Sequence, residues 1–376
     1  MHIIHGLGAG GTEMTCLRLA EHWQSRFRQY VVAMKPDARM LEPEFNRLAN
    51  CVLTVGPEGP QSNLATWRWL RCVFKKNAPD ALIIHVFGVP HLIAASAARS
   101  AGIKSLAVKA GNPPPLEIRP RRRWAAVTLG SKLLRCRIAS CSTAVNEELR
   151  KLGVGMPKHS RAIPNGIDIA SLSARAARSR EKKEKGRTVI GMVARLDAIK
   201  DHGTLLQALS LMRPHVPDCE LWIVGDGERA MALEDQARSL GVADRIKFLG
   251  NRSDVPELLG QMDVYAFSTT RAEGFGIALI EAMAAGVAIV ASDVPACREV
   301  LGNGEAGLIV PPGDATKLAE AIVELLQNQE LRANICAAAA RRVQREYSIE
   351  KCAARWEALL FQNAPPIGPP AHQCAS

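Results

Sequence analysis

Twice along this chain, short apolar runs alternate with longer stretches of helical spacing, and that alternation admits few folds. In the first half VVAM (31–34), ALIIHVF (81–87) and SLAVKA (105–110) read as strands, with TEMTCLRLAEHW (12–23) and HLIAASAARSAG (91–102) as helices between them. The second half repeats the plan with TVIGMVA (188–194), ELWIVGDG (220–227), RIKFLG (245–250), VYAFS (264–268) and VAIVAS (287–292). Strand–helix–strand order feeds parallel sheets, so two Rossmann-like α/β domains are expected. The length agrees: 376 residues is long for one core and ordinary for two.

The sequence also places the boundaries. Residues 1–169 are expected to form the first domain and 188–344 the second. Between them ASLSARAARSREKKEKGR (170–187) is polar, highly charged and without strand pattern, and reads as a linker or surface excursion. A last helix is expected over 345–361, followed by a disordered Pro-rich tail over 362–376. Only MHIIH precedes the first glycines, so the first strand is short and the natural chain is expected to begin several residues earlier.

Composition excludes several classes. No apolar run reaches the length of a membrane span, and no secretory leader pattern opens the chain, which makes a cytoplasmic protein the expectation. The ten cysteines form no CxxC pair and HExxH is absent, so they are expected to be reduced and mostly in the core, with no bound metal. Charge is informative when divided. Residues 1–187 carry 31 Lys and Arg against 13 Asp and Glu, whereas 188–376 carry 17 against 24. The first half is therefore expected to meet something anionic.

Two stretches carry chemistry. In TRAEGFGIALIEAMAAG (270–286) a strand ends, a glycine-rich loop follows and a helix begins, which puts Glu273, Gly274, Phe275, Gly276 and Ile277 at the carboxyl end of a parallel strand, where open α/β sheets bind ligands. Glycines let the backbone approach a bound group, and the helix N-terminus favours an anion. Glu281 stands about one turn into the helix between apolar neighbours, where its carboxylate can accept two hydrogen bonds from a vicinal diol such as a ribose. That both acids merely complement the helix dipole is the competing reading. The second stretch, VARLDAIKDHGTLLQAL (193–209), brings Arg195 and Lys200 to the loop after another strand. A guanidinium fork and an ammonium there suit a diphosphate, although a solvated basic loop is the more common fate of such residues.

With these residues in order, the chain resembles glycosyltransferase family 4, the retaining nucleotide-sugar transferases of the GT-B fold. The resemblance runs through LGAGGTE (7–13), IPNGID (163–168), ARLDAIKD (194–201), IVGDGE (223–228), FLGNRSDVPELLGQMDVYAFST (248–269) and the E-x7-E stretch EGFGIALIEAMAAGVAIVASD (273–293). It implies two Rossmann-like domains facing each other across a cleft, with the last helix crossing back onto the first domain. It further implies that Arg195 and Lys200 hold the diphosphate of a nucleotide-sugar donor, expected to be a UDP-sugar. The amides of Gly274 to Ile277, with Glu273, would hold the transferred sugar, and Glu281 the ribose. Asn251 and Arg252 would lie beside the nucleobase, and Gly10 and Gly11 would approach the phosphates. His85 matches a histidine near the reacting sugar; a satisfied core histidine is the alternative, and His91 and His202 rank lower. No cofactor beyond the co-substrate is implied. Where many relatives carry a histidine after the strand SLAVKA, this chain reads KAGNPPP (109–115), so acceptor contacts do not carry over.

The acceptor is read from charge. LEIRPRRRWAAVTLGSKLLRCR (116–137) interleaves arginines with apolar residues, a pattern suited to anionic lipid headgroups and equally to a solvated helix face. A glycan or polyprenyl-linked acceptor at the inner face of the cytoplasmic membrane fits the first reading. Another GT-B enzyme, such as an epimerase, is the near rival. A basic nucleic-acid-binding protein is the distant one, weakened by an aromatic content of 5%. A dinucleotide-dependent oxidoreductase fails because GLGAGGTE (6–13) lacks the GxGxxG spacing.

Overall fold

The computed structural model describes residues 1–8, 10–35, 39–58 and 62–361. The chain forms two compact units, one holding Met1–Gly166 and the stretch from Ile349 onward, the other Ile167–Ser348.

The first unit is built on a parallel sheet of seven strands: β1 (His2–Ile4), β2 (Gln29–Ala33), β3 (Cys51–Val55), β4 (Ala81–Ile84), β5 (Ser105–Ala110), β6 (Arg137–Ser140) and β7 (Arg161–Ala162). Their order is β3-β2-β1-β4-β5-β6-β7, with His2 opposite Val31 on one side and Ile83 on the other. Direction reverses at β1, which opens a crevice between the carboxyl ends of β1 and β4. One core cluster gathers Ile4, Leu17, Ala20, Val31 and Phe45. Another packs Leu19, Trp23, Ile83 and Ala107 against Cys352, Trp356 and Leu359 of the final helix, Ile349–Leu360. Glu357 fixes that helix, accepting from Trp23 Nε1 at 2.8 Å and from the Arg26 guanidinium at 2.8 and 3.0 Å.

The second unit carries six parallel strands: β8 (Thr188–Val193), β9 (Cys219–Val224), β10 (Ile246–Phe248), β11 (Val264–Phe267), β12 (Ala288–Ser292) and β13 (Leu308–Val310), ordered β10-β9-β8-β11-β12-β13. Here the order reverses at β8, so the switch point lies between β8 and β11. Val264 faces Ile190 across that pair.

Three differences from the sequence reading have physical causes. β3, β6, β7 and β13 escape it because they are short or half-exposed and lack long apolar runs. The segment expected as a linker or surface excursion is helical over Ile169–Glu181 and belongs to the second unit. Asp168 caps it by accepting from Ser171 N at 2.9 Å, and Ile169, Leu172 and Ala176 form a buried stripe while the charges take the outer face. The C-terminal helical pattern, expected to begin at 345, breaks at Tyr347 and Ser348 between the helices Gln329–Glu346 and Ile349–Leu360. The tail 362–376 lies outside the described residues, as does Ala9 of the first glycine-rich motif.

Candidate active site

The turns leaving β8 and β11 carry Arg195, Lys200 and Glu273, and main-chain hydrogen bonds stitch the two turns together. Thr270 N and Thr269 Oγ1 both donate to Ile199 O, at 2.9 and 3.0 Å, and Asp201 N donates to Ser268 O at 3.1 Å. Across this seam Lys200 Nζ donates to Glu273 Oε2, and it also lies 4.7 Å from the centre of the Phe267 ring. Glu273 Oε1 accepts from the amides of Gly274 and Phe275 at 3.1 and 3.2 Å. Burial alone would raise the Glu273 pKa; the Lys200 ammonium and the two amides outweigh it and hold the carboxyl below its ordinary value. Side-chain exposure is 15% for Lys200 and 9% for Glu273, so little water screens the pair.

Arg195 behaves differently. Its side chain is 70% exposed, and among the described residues its ion-pair partner is Asp197, at 3.0 Å. Such a contact holds the guanidinium weakly and leaves it available to an anion. Gly225, at φ +137°, lets the turn after β9 press on this loop: a Cβ there would sit 2.0 Å from Ala194 O.

Gly276 caps the helix Ile277–Ala285 in the left-handed region, at φ +83°, where a Cβ would stand 3.0 Å from Leu279 Cδ1 and 3.2 Å from Phe267 Cε1. The turn thus brings buried Gly274, Phe275 and Gly276 to the N-terminal end of a helix at the sheet's switch point. Glu281 is half-buried on that helix. Beneath, Tyr265 donates to Val193 O at 3.1 Å; burial first, and then the charges of Glu281 and Glu273, raise its phenol pKa. Asn251 and Arg252 are exposed on the turn after β10, where Arg252 pairs with Asp254 at 2.7 and 2.8 Å. That turn is tied to the one after β9 by Gly225 N donating to Gly250 O at 2.8 Å.

The remaining candidates lie in the first unit. Gly10 and Gly11 open the helix Gly11–Trp23 at the carboxyl end of β1. His85 is buried just past β4, 3.0 Å from the ring of His2, which in turn lies 3.0 Å from Gln29 Oε1. With Gln29 Oε1 as acceptor, His2 donates through Nε2 and accepts from His85 Nε2–H. The Nδ1 of His85 then keeps its lone pair, and it has no hydrogen-bond partner among the described residues. Burial, then the neighbouring His2 and Lys109, lowers the His85 pKa well below normal. His2, Cys16 and His85 also bring three potential ligand atoms within 4.8 Å of one another. His91 and His202 are both buried, with pKa values lowered to about 4 chiefly by burial: His91 bonds to Gly88 N and Ser131 Oγ, whereas His202 holds Lys200 O through Nδ1 and its Nε2 has no hydrogen-bond partner among the described residues.

Sequence reasoning missed the residues that shape these turns. Asp197 Oδ1 accepts from the amides of Ile199 and Lys200 at 3.0 and 3.2 Å, an Asx turn that aims Lys200. Its only signal was an Asp three residues before a Lys. Thr269 joins both loops and comes within 3.5 Å of Glu273. In the first unit, buried Lys109 near the end of β5 donates to Asn165 of the IPNGID motif and secures that neighbouring loop.

Comparison with known proteins bears on the family and the fold. Residues 9–171 match the family model described as Glycosyltransferase Family 4, and residues 173–342 the model described as Glycosyl transferases group 1. The phosphatidyl-myo-inositol mannosyltransferase of Mycolicibacterium smegmatis is 40% identical over 185 residues, 49% of this chain and 47% of that protein. The chain thus spans about half the length of the curated relatives it matches first. The putative glycosyltransferase EpsD of Bacillus subtilis is 29% identical over 287 residues, 73% of this chain and 74% of its own length. Among solved structures, Anabaena Alr3699/HepE in complex with UDP and glucose superposes with a TM-score of 0.82 at 21% identity, covering 96% of this chain and 98% of that one. The likeness is one of fold, the GT-B pairing of Rossmann-like domains.

Proposed function

Since the chain belongs to glycosyltransferase family 4, we propose that it moves a sugar, with retention, from a nucleotide-diphosphate donor to a hydroxyl of a glycan or lipid-linked glycan. The observation that carries this reading is the joined pair of turns at the β8–β11 switch point: an ammonium, an exposed guanidinium and a glycine-rich, amide-lined helix start together. In this reading Arg195 and Lys200 take the diphosphate and stabilise the charge that grows on it as the glycosidic bond breaks. Glu273 holds Lys200 in place before the donor arrives, and afterwards, with the Gly274–Ile277 amides, it meets the sugar hydroxyls. Glu281 takes the ribose, Asn251 and Arg252 lie toward the base, and Gly10 and Gly11 contribute from the first unit. Retention follows when the acceptor hydroxyl enters on the face the diphosphate leaves, and two cations at the leaving group make a metal ion unnecessary. His85, with a free Nδ1 lone pair, orients a substrate hydroxyl.

A UDP-sugar is the favoured donor, in line with the UDP bound by the Anabaena structure. Isothermal titration with UDP, GDP and ADP tests it. Arg195→Ala is the clean variant, because an exposed side chain can be removed with little loss of stability; it should weaken UDP binding at least tenfold at unchanged melting temperature. Glu281→Ala should weaken UDP more than it weakens free pyrophosphate. Undiminished UDP affinity in both variants would overturn the assignment.

The acceptor is proposed to lie at a membrane surface. Among the described residues no helix is long and apolar enough to cross a membrane. The helix Ile118–Leu133 instead exposes Arg119, Arg122, Arg123 and Lys132 beside Leu129 and Leu133. Co-sedimentation should show binding to phosphatidylglycerol vesicles that salt weakens, and none to phosphatidylcholine; equal partitioning removes the membrane reading.

A further inference from the structure

The first unit contains a pocket of about 390 Å³ between the helices Val89–Ser100 and Ile118–Leu133. Phe87, Val89, Leu92, Trp124, Ala126 and Val127 line it, and among its lining residues Arg123 alone carries a charge. Its size falls in the range of about 300–1,000 Å³ usual for small-ligand sites. The floor is rigid. Phe87 lies 4.7 Å from Trp124 and 5.0 Å from His91, ring centre to ring centre. Gly88 N donates to His91 Nδ1 at 3.0 Å, which leaves Nε2–H to donate to Ser131 Oγ at 2.8 Å, and Ser131 passes the chain on to Val127 O at 2.9 Å. One helix is thereby fastened to the other across the base of an apolar slot.

Two features say what fills it. The helix that forms one wall is both apolar and cationic at its surface: Ile118 and Leu133 at its ends are 71% and 76% exposed, and Arg119 stands one turn from the lining residue Arg123. An apolar slot with one guanidinium in its lining and a second one turn along the same helix complements a hydrocarbon chain that ends in a phosphate. The pocket also begins in the turn that leaves β4, with Phe87 two residues beyond His85. One end of it therefore adjoins the ligand-binding edge of the sheet.

We infer that this pocket takes the hydrocarbon chain of an acceptor glycan linked to a lipid phosphate, with Arg123 and Arg119 on the phosphate next to the lipid. The inference rests on the glycosyltransferase reading and names the acceptor class for it.

Farnesyl phosphate, titrated below its aggregation threshold against the full chain, is the test, with tryptophan fluorescence as readout and Trp124→Phe to assign the signal. Wild type should bind one equivalent saturably. Ala126 is exposed on the pocket wall, so Ala126→Phe fills the slot without disturbing the core; it should weaken farnesyl phosphate at least tenfold at unchanged melting temperature. Arg123→Gln should weaken farnesyl phosphate at least threefold and leave farnesol unaffected. Equal affinity in Ala126→Phe overturns the proposal. So does binding confined to phosphatidylglycerol vesicles with none to the monomeric phosphate, which would assign the slot to bulk lipid. UDP titrated into the same samples separates the readings: lost UDP binding counts against the donor site, and retained UDP binding without farnesyl phosphate binding counts against the pocket alone.

Discussion

Removing either partner of the Lys200–Glu273 pair strands the other where little water reaches it. Breaking a buried pair by deleting one member costs about 3–5 kcal/mol, because the remaining charge keeps its desolvation and loses its counter-charge. Lys200→Met should therefore lower the stability of the second unit by about 3 kcal/mol in urea unfolding, and Glu273→Gln, which keeps the shape and one acceptor oxygen, by less. A double-mutant cycle should return a coupling of about 1 kcal/mol or more. The sign of the pH dependence follows. The folded carboxyl titrates below its ordinary value of 4.5, so its contribution is complete above 4.5 and drains away as the pH falls through the folded value. Wild type should lose stability across that acid window, and Glu273→Gln should lose less. Equal acid slopes in the two proteins would show that the pair is not coupled. Because Lys200 supports the fold as well as the site, its variants are poor evidence about donor binding, and Arg195 serves better. The charged members of this site were legible because each follows an apolar run that ends in a turn. Asp197 and Thr269 were not, since they act on main-chain atoms of other turns, and a lone polar residue in a loop reads as solvated.

Among the elements, the helix Ile169–Glu181 shows what local sequence conveys and what it withholds. Its charge made it look like a linker, yet its stripe of Ile169, Leu172 and Ala176 packs on the helices Val255–Gln261 and Ile277–Ala285. Nothing within residues 170–187 names the receiving surface. Gly260 does, but only in three dimensions: a Cβ added there would lie 2.2 Å from Ala176 O, main chain against main chain. Neither backbone can yield without the helices moving apart. Gly260→Ala should therefore destabilise the second unit by about 1–3 kcal/mol, the usual cost of overpacking, despite alanine's better helix propensity. A rise in urea midpoint would show that the contact is loose. The same limit explains the missed strands. β8, β9, β11 and β12 are buried and apolar throughout or nearly so, whereas β3 sits at an edge with a half-exposed pattern and β6 opens on Arg137. Their assignment comes from neighbours in the sheet.

At the scale of the whole molecule, the two units differ in how the chain builds them. The second is one continuous stretch whose ends meet: Ile167 N donates to Tyr347 O at 3.0 Å, and Ile167 bridges Ser348 in parallel. It holds its own sheet and the turns that carry Arg195, Lys200 and Glu273. The first unit is discontinuous and depends on the final helix, whose Trp356 is 1% exposed against Trp23, Ile83 and Ala107. Truncating a buried aromatic costs about 3–5 kcal/mol, so Trp356→Ala should lower the melting of the first unit far more than that of the second. Calorimetry of the variant should then resolve two transitions, and added UDP should raise only the upper one, by mass action on the unit that binds it. A fragment of residues 167–348 should fold cooperatively and bind UDP measurably, while a chain stopped at 348 should keep that transition and lose the other. If Trp356→Ala instead shifts one undivided transition that UDP still raises as a whole, the units unfold together, and the final helix stabilises the donor site as well as the sheet it covers.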